Sequence, residues 1–310
     1  IEWYMGTIYY HVFIDSFENG DPSNDPPEKI SVVNGPRPWG YYGGDLRGII
    51  QRIDYLRELG IETLYLTPVF PSTSYHRYDV YDYHGIDRYL GSIDDFRELV
   101  EKLHKNNIRV VLDITMHHTS PCHPYFIDAI KNWDSSPYRE WYMFLDDPPR
   151  KFVEEFLKHV EGECRFRELM EKGIVSGRPF YESFFHVWTM VKINHDNPDT
   201  LEYFLDVTRY WIDMGVDGFR IDVAMGIHYQ WLREYYLRVK EKYPWFLVLG
   251  EVSEHPWIYR GVFDSVMDYW WRMIMLKKLI YNSIGVREFM YLLNDLYTRL
   301  PHYQAIALYN

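Results

Sequence analysis

The strongest constraint in this sequence is a repeated alternation of short apolar runs with amphipathic stretches. Seven runs read as strands, at 7–13, 61–66, 108–112, 216–221, 245–249, 262–267 and 304–308. Helical spacing fills the intervals. Leu46, Ile49, Ile50, Ile53, Leu56 and Leu59 form one stripe, with Asp45 placed to cap its start and Gly60 to stop it. Ser92 opens a second helix with Phe96, Leu99, Val100 and Leu103 turned inward, and a third carries Leu201, Phe204, Leu205, Trp211 and Ile212. Nearly unbroken apolar strands separated by amphipathic helices specify a parallel sheet covered on its outer face. The expected fold is α/β, a (β/α)8 TIM barrel. Such a barrel needs eight strands, so the chain reads as truncated after strand seven, with the rest of the barrel and a C-terminal β-domain expected beyond it.

The rhythm fails between His117 and about Asn194. This stretch holds Pro121, Pro124, Pro137, Pro148, Pro149 and Pro179, and its helices lack following strands. It reads as a small domain inserted after the third strand. The expected division is 1–117 and 194–310 for the two parts of the barrel and 118–193 for the insertion.

Composition narrows the function. Of the 310 residues, 47% are hydrophobic and 18% aromatic, which excludes disorder and suits a sugar-binding cleft whose rings stack on C–H faces. A net charge of -12 argues against nucleic-acid backbones and anionic membranes. The strongest candidate span, 262–281, is interrupted by Asp264, Asp268, Arg272, Lys277 and Lys278. The first residues show no signal peptide, which favours a cytoplasmic location, and the missing initial Met suggests trimming. Cys122 and Cys164 read as two unpaired buried thiols. Gln occurs only at positions 51, 230 and 304, a scarcity that leans toward a heat-adapted source.

In such a barrel the reactive groups sit at C-terminal strand ends. Three runs lead into acids there: Asp113, Asp222 and Glu251. A carboxylate closing an apolar strand is costly unless it is paired or used, and three on neighbouring strands exceed what helix capping needs. Two carboxylates on adjacent strands suit glycoside hydrolysis, one attacking the anomeric carbon and the other protonating the leaving oxygen. Arg220, two residues before Asp222, faces the same side and is expected to keep that nucleophile ionised. Glu251 follows an apolar run and is expected to stay protonated as the general acid.

Six motifs in order carry a resemblance that spans nearly the whole chain. Asp15-Ser-Phe-Glu-Asn-Gly-Asp-Pro-Ser-Asn-Asp25, Tyr42-Gly-Gly-Asp-Leu-Arg-Gly48, Asp113-Ile-Thr-Met-His-His118, Met190-Val-Lys-Ile-Asn194, Gly218-Phe-Arg-Ile-Asp222 and Gly250-Glu-Val252 resemble glycoside hydrolase family 13, the α-amylase family. Within it they are similar to the neopullulanase, cyclomaltodextrinase and maltogenic amylase group. The resemblance implies a retaining α-glucan hydrolase, with Asp222 as nucleophile, Glu251 as acid/base and Arg220 as the orienting cation. It places Asp113, His118 and Tyr78 around the sugar ring. The family's third carboxylate belongs to a motif just beyond the seventh strand, past this chain's last residue, Asn310.

A 4-α-glucanotransferase using the same acids, and an inactive carbohydrate-binding fragment, are the alternatives. Substrates implied are α-glucan oligosaccharides, and the group suggests a homodimer. Asn19, Asp21, Asn24 and Asp25 on one loop, with Gly43 and Asp45 on another, supply hard oxygen donors suited to structural Ca2+. Two departures bear on the site. His117 stands where the family usually has a calcium-ligating Asn, and Met225-Gly226 stands where the group usually has Asn-Glu on the acceptor side.

Overall fold

The computed structural model describes residues 3–27, 29–30, 40–160, 164–253, 255–299 and 304–307. The strands in chain order are β1 (Tyr9–Val12), β2 (Thr63–Leu66), β3 (Arg109–Thr115), β4 (His118–Thr119), β5 (Val191–Lys192), β6 (Gly218–Asp222), β7 (Leu247–Gly250), β8 (Ser265–Asp268) and β9 (Gln304–Ala307). Seven of them form one parallel sheet in the order β1-β2-β3-β6-β7-β8-β9. It is the curled sheet of a (β/α)8 barrel. The expected run at 304–308 is β9, and its residue 308 lies outside the described residues.

The helices are α1 (Leu46–Gln51), α2 (Ile53–Glu58), α3 (Ile93–Lys105), α4 (Pro124–Asn132), α5 (Arg150–Val160), α6 (Phe166–Glu171), α7 (Pro198–Asp213), α8 (Tyr229–Lys242), α9 (Tyr269–Met275) and α10 (Val286–Arg299). Local chemistry starts them, at Asp45 and Ser92 as the sequence predicts and at Asn197, for which it predicts no cap. Ser92 and Asp95 form a reciprocal capping box on α3, and Asn197 caps α7 with Pro198 at its first position. The single helix expected over 45–60 is two, because Arg52 leaves helical geometry at φ -102, ψ 9. Leu59 then falls past α2 and is 47% exposed rather than part of the stripe.

Strand periodicity sorts the two faces of the sheet. Leu64, Leu66, Val110, Leu112, Phe219 and Val248 turn outward onto helix residues such as Phe96, Leu99, Phe204 and Trp211. Tyr65, Val111, Leu247, Leu249 and Met267 turn inward as a separate cluster. Asp113 and Arg220 are register partners on β3 and β6, so the charged groups continue that inner face toward the strand ends.

Between β3 and α7, the helix that precedes β6, the chain contains α4, α5, α6 and the antiparallel pair β4–β5. The sequence predicts no strands there; the structure has two of two residues each, too short to leave a period. Cys122 and Cys164 are also corrected: they are joined as a disulfide, with Cα atoms 5.8 Å apart. That separation lies in the bonding range, and a 42-residue interval in sequence gave no sign of it. Among the described residues no helix is long and apolar enough to cross a membrane.

Candidate active site

One guanidinium organises the strand ends. Arg220 is buried on β6, and its Nη1 donates to Asp113 Oδ1 at 2.8 Å and to Asp222 Oδ1 at 2.8 Å. Its Nη2 lies 2.8 Å from Glu251 Oε1. Strand pleat explains the convergence: Arg220 and Asp222 are two residues apart on one strand, and Asp113 is the register partner of Arg220. Glu251 follows β7 directly, with its N–H bonded to Ile221 O at 3.0 Å. The three acids named from strand ends and the named cation are therefore one cluster.

Each acid has its own surroundings. Asp113 is fully buried, and its Oδ2 also accepts from Tyr65 Oη at 2.5 Å and Tyr78 Oη at 2.8 Å. Burial pushes the Asp222 carboxyl up to about 8, against the pull of Arg220 and with the push of Asp113 and Glu251. The expectation that Arg220 simply keeps Asp222 ionised is corrected accordingly. Glu251 is the most open of the three, with a quarter of its side chain exposed. Its surroundings are polar, not apolar: Tyr269 Oη donates to Oε1 at 2.8 Å, and the Val223 N–H donates to Oε2 at 2.9 Å. The expectation of an apolar pocket failed because these donors come from other segments of the chain.

Val223 holds that N–H in place with φ 47, ψ 39, a left-handed conformation costly for a β-branched residue, of order 1–3 kcal/mol. Such strain beside reactive groups marks a backbone shaped for its neighbours. Tyr269, Tyr65 and Met267, whose sulfur accepts from Arg220 Nε at 3.2 Å, complete the cluster. The sequence reading passed over all three, because an aromatic or Met in an apolar run reads as core. The strand-end rule applied to β8 would have found Tyr269. Replacing Tyr269 with Phe removes one hydrogen-bond donor to Glu251 and is expected to lower kcat/KM about 10-fold, or about 1.4 kcal/mol, in steady-state assays of the full-length protein.

His118 sits beside this cluster. Its Nε2 lies 3.0 Å from Tyr78 O, and burial pushes its imidazole down to about 4. It is therefore neutral at physiological pH, and its one N–H, on Nε2, is donated to the Tyr78 carbonyl. Its Nδ1 lies 3.1 Å from Nδ1 of His117, which burial pushes down to about 2. Gly226 leaves room for His117: a Cβ there would lie 2.7 Å from the imidazole. The two departures from the family pattern, at 117 and 226, are thus in contact.

The six oxygen donors named for a cation divide. Asn19 Oδ1 and Asn24 Oδ1 are buried with no hydrogen-bond partner. Asp25 accepts from Asn19 Nδ2 at 2.5 Å and pairs with Lys29 at 2.6 Å. Gly43, at φ +83, approaches so closely that a Cβ would lie 2.5 Å from Asp25 Oδ1. Asp45 is used differently, accepting backbone N–H groups from Gly20, Asp21 and Gly48 and capping α1. Asp21 turns to Ser23. Among the described residues no three His, Cys, Asp or Glu gather as a metal cluster, so any cation here would rest mainly on amide and carbonyl oxygens. The orphaned Asn19 and Asn24 oxygens beside Asp25 fit a hard cation.

Comparison with known proteins agrees with this geometry. The chain is 34% identical to neopullulanase 2 of Thermoactinomyces vulgaris, over 100% of its own length and 50% of that protein's. It superposes on the crystal structure of a maltogenic amylase from S. marinus with a TM-score of 0.94 and 54% identity, covering 99% of this chain and 45% of that one. A cyclic α-maltosyl-(1→6)-maltose hydrolase from Arthrobacter globiformis superposes with a TM-score of 0.85 at 30% identity, covering 97% of this chain and 64% of that one. The chain thus spans about half the length of the first two. The family described as "Alpha amylase, catalytic domain" matches residues 11–305. By sequence, fold and the arrangement at its strand ends, the chain belongs to the alpha-amylase family.

Proposed function

We propose that the protein hydrolyses α-glucosidic bonds in starch-type oligosaccharides, cyclodextrins or pullulan by double displacement. The observation that carries this reading is the placement of Asp222 and Glu251 on the two terminal nitrogens of Arg220. In its ionised form Asp222 attacks the anomeric carbon. Glu251, the more open acid, protonates the departing oxygen and then activates the water that releases the sugar. Asp113, fixed by Arg220, Tyr65 and Tyr78, accepts hydrogen bonds from ring hydroxyls, and neutral His118 sits beside the cluster without adding charge. The inserted segment 118–193 acts as a domain of its own, forming one wall of the cleft with His118.

Stereochemistry tests the mechanism. A short carboxyl separation, about 5–5.5 Å, commits the enzyme to retention, whereas inversion needs about 6.5–9.5 Å to admit a water. Proton NMR of the first product from maltotriose and the full-length protein is expected to show the α-anomer. An initial β-anomer excludes the double displacement.

The same protein is proposed to bind structural Ca2+ through Asn19, Asn24, Asp25 and the Gly43 carbonyl, with Asp21 and Asp45 shaping the loops. When bound, the ion staples the loop after β1. Chelation is expected to lower Tm by several degrees while sparing the turnover of the molecules that stay folded. An unchanged Tm, with no calcium on elemental analysis, removes the site.

A further inference from the structure

The segment between β4 and β5 also contains a cavity of about 590 Å3 that has no part in the chemistry above. Its size falls within the roughly 300–1,000 Å3 typical of small-molecule sites. Phe152, Phe180 and Trp188 form its floor, and Asp146, Lys151 and Arg178 stand at its rim. The rings brace one another, with centroids 4.9 Å apart for Phe152–Phe180 and 5.9 Å for Phe152–Trp188. The Trp188 indole N–H donates to Gly177 O at 2.9 Å, which fixes the orientation of the half-buried ring. The rim groups are exposed. Arg178 reaches Glu182 only at 3.5 Å, and no described residue partners the side chains of Asp146 or Lys151.

This combination selects among ligands. A carboxylate at the rim disfavours phosphate and other anions, and two cations disfavour a cationic ligand. A neutral polyol satisfies both, because its hydroxyls accept from Lys151 and Arg178 and donate to Asp146. Its apolar C–H faces cover aromatic rings. We propose that the cavity binds a short stretch of an α-glucan chain, apart from the reactive cleft. The ligand class rests on the α-glucan reading above. Trp188 lies on the loop that leads into β5, and Phe184 on the same loop packs 5.6 Å from the His118 ring. A long chain seated at the cavity therefore presents its remaining length near the cleft at raised effective concentration, and a trisaccharide is too short to gain from it.

The test uses Trp188→Ala and Arg178→Ala in the full-length protein, with maltotriose and amylose as substrates and maltoheptaose as the calorimetric probe. Both variants are expected to keep kcat/KM on maltotriose unchanged. On amylose, kcat/KM is expected to fall at least five-fold, through KM rather than kcat. Arg178 is exposed, so its variant reads out the site even if Trp188→Ala fails to fold. An unchanged amylose-to-maltotriose ratio in Arg178→Ala, with maltoheptaose binding intact, overturns the proposal. If the unmodified protein hydrolyses no α-glucan yet binds maltoheptaose in a manner lost in Arg178→Ala, the hydrolase reading fails and the cavity site stands.

Discussion

Asp222→Asn in the full-length protein is expected to lower kcat on maltotriose by at least about 10^4-fold, or about 5.5 kcal/mol, because an amide cannot form the covalent glycosyl intermediate. The substitution keeps the size of the side chain and one oxygen for Arg220, whose Nη1 lies 2.8 Å away. Folding and ground-state sugar binding should therefore survive. Equal Tm values together with retained maltotriose affinity would separate lost chemistry from lost structure. A variant keeping more than a tenth of the activity would disqualify Asp222 as nucleophile. In the parent protein, burial raises this carboxyl, so the acid limb of kcat/KM should lie above an ordinary aspartate's range.

Arg220→Ala has the largest expected effect on stability. It leaves Asp113, Asp222 and Glu251 without their common cation, two of them buried. Removing one partner from a buried ionic cluster costs about 3–5 kcal/mol. In a domain of this size each kcal/mol shifts Tm by roughly 2–4 °C, so a loss of about 6–20 °C is expected. The pH dependence has a definite sign. Asp222 already has a raised folded value, and losing Arg220 raises it further. A carboxyl whose folded pKa exceeds its unfolded value binds more protons when folded, so stability falls as pH climbs between the two. The Tm deficit of the variant should widen as pH rises above about 8, where the parent's Asp222 ionises beside Arg220 and the variant's does not. A deficit independent of pH would show that Arg220 supports the fold by packing alone.

The parts of this architecture that were legible in the sequence share one property: their signal is local. The strands at 108–112 and 216–221 are apolar runs, and the helices at Ser92 and Leu201 repeat at helical spacing. The strand-end acids followed from the same reading, since an acid after an apolar run is conspicuous. What escaped detection depends on groups brought from far away. β3 continues through Asp113 to Thr115 because Arg220 on another strand compensates the buried charge, and no local pattern shows that. β4 and β5 pair His118 with Lys192 across a long interval. The polar setting of Glu251 depends on Tyr269, 18 residues onward, and on the unusual backbone at Val223. Leu59 and the break at Arg52 have a different cause: the stripe has helical spacing throughout, but the backbone turns within it.

The shared guanidinium has a further consequence in its charge balance. Three carboxylates face one cation, so the centre holds an excess of up to two negative charges in a largely buried, low-dielectric setting. A neutral sugar neither gains nor loses much from that excess. The same sugar gains as its ring carbon becomes electron-poor on the way to an oxocarbenium-like state. Such a centre therefore discriminates by charge as well as by shape. Ring analogues carrying a protonated amine should be held more tightly than their uncharged counterparts, and the preference should weaken as acidification below about 8 protonates Asp222.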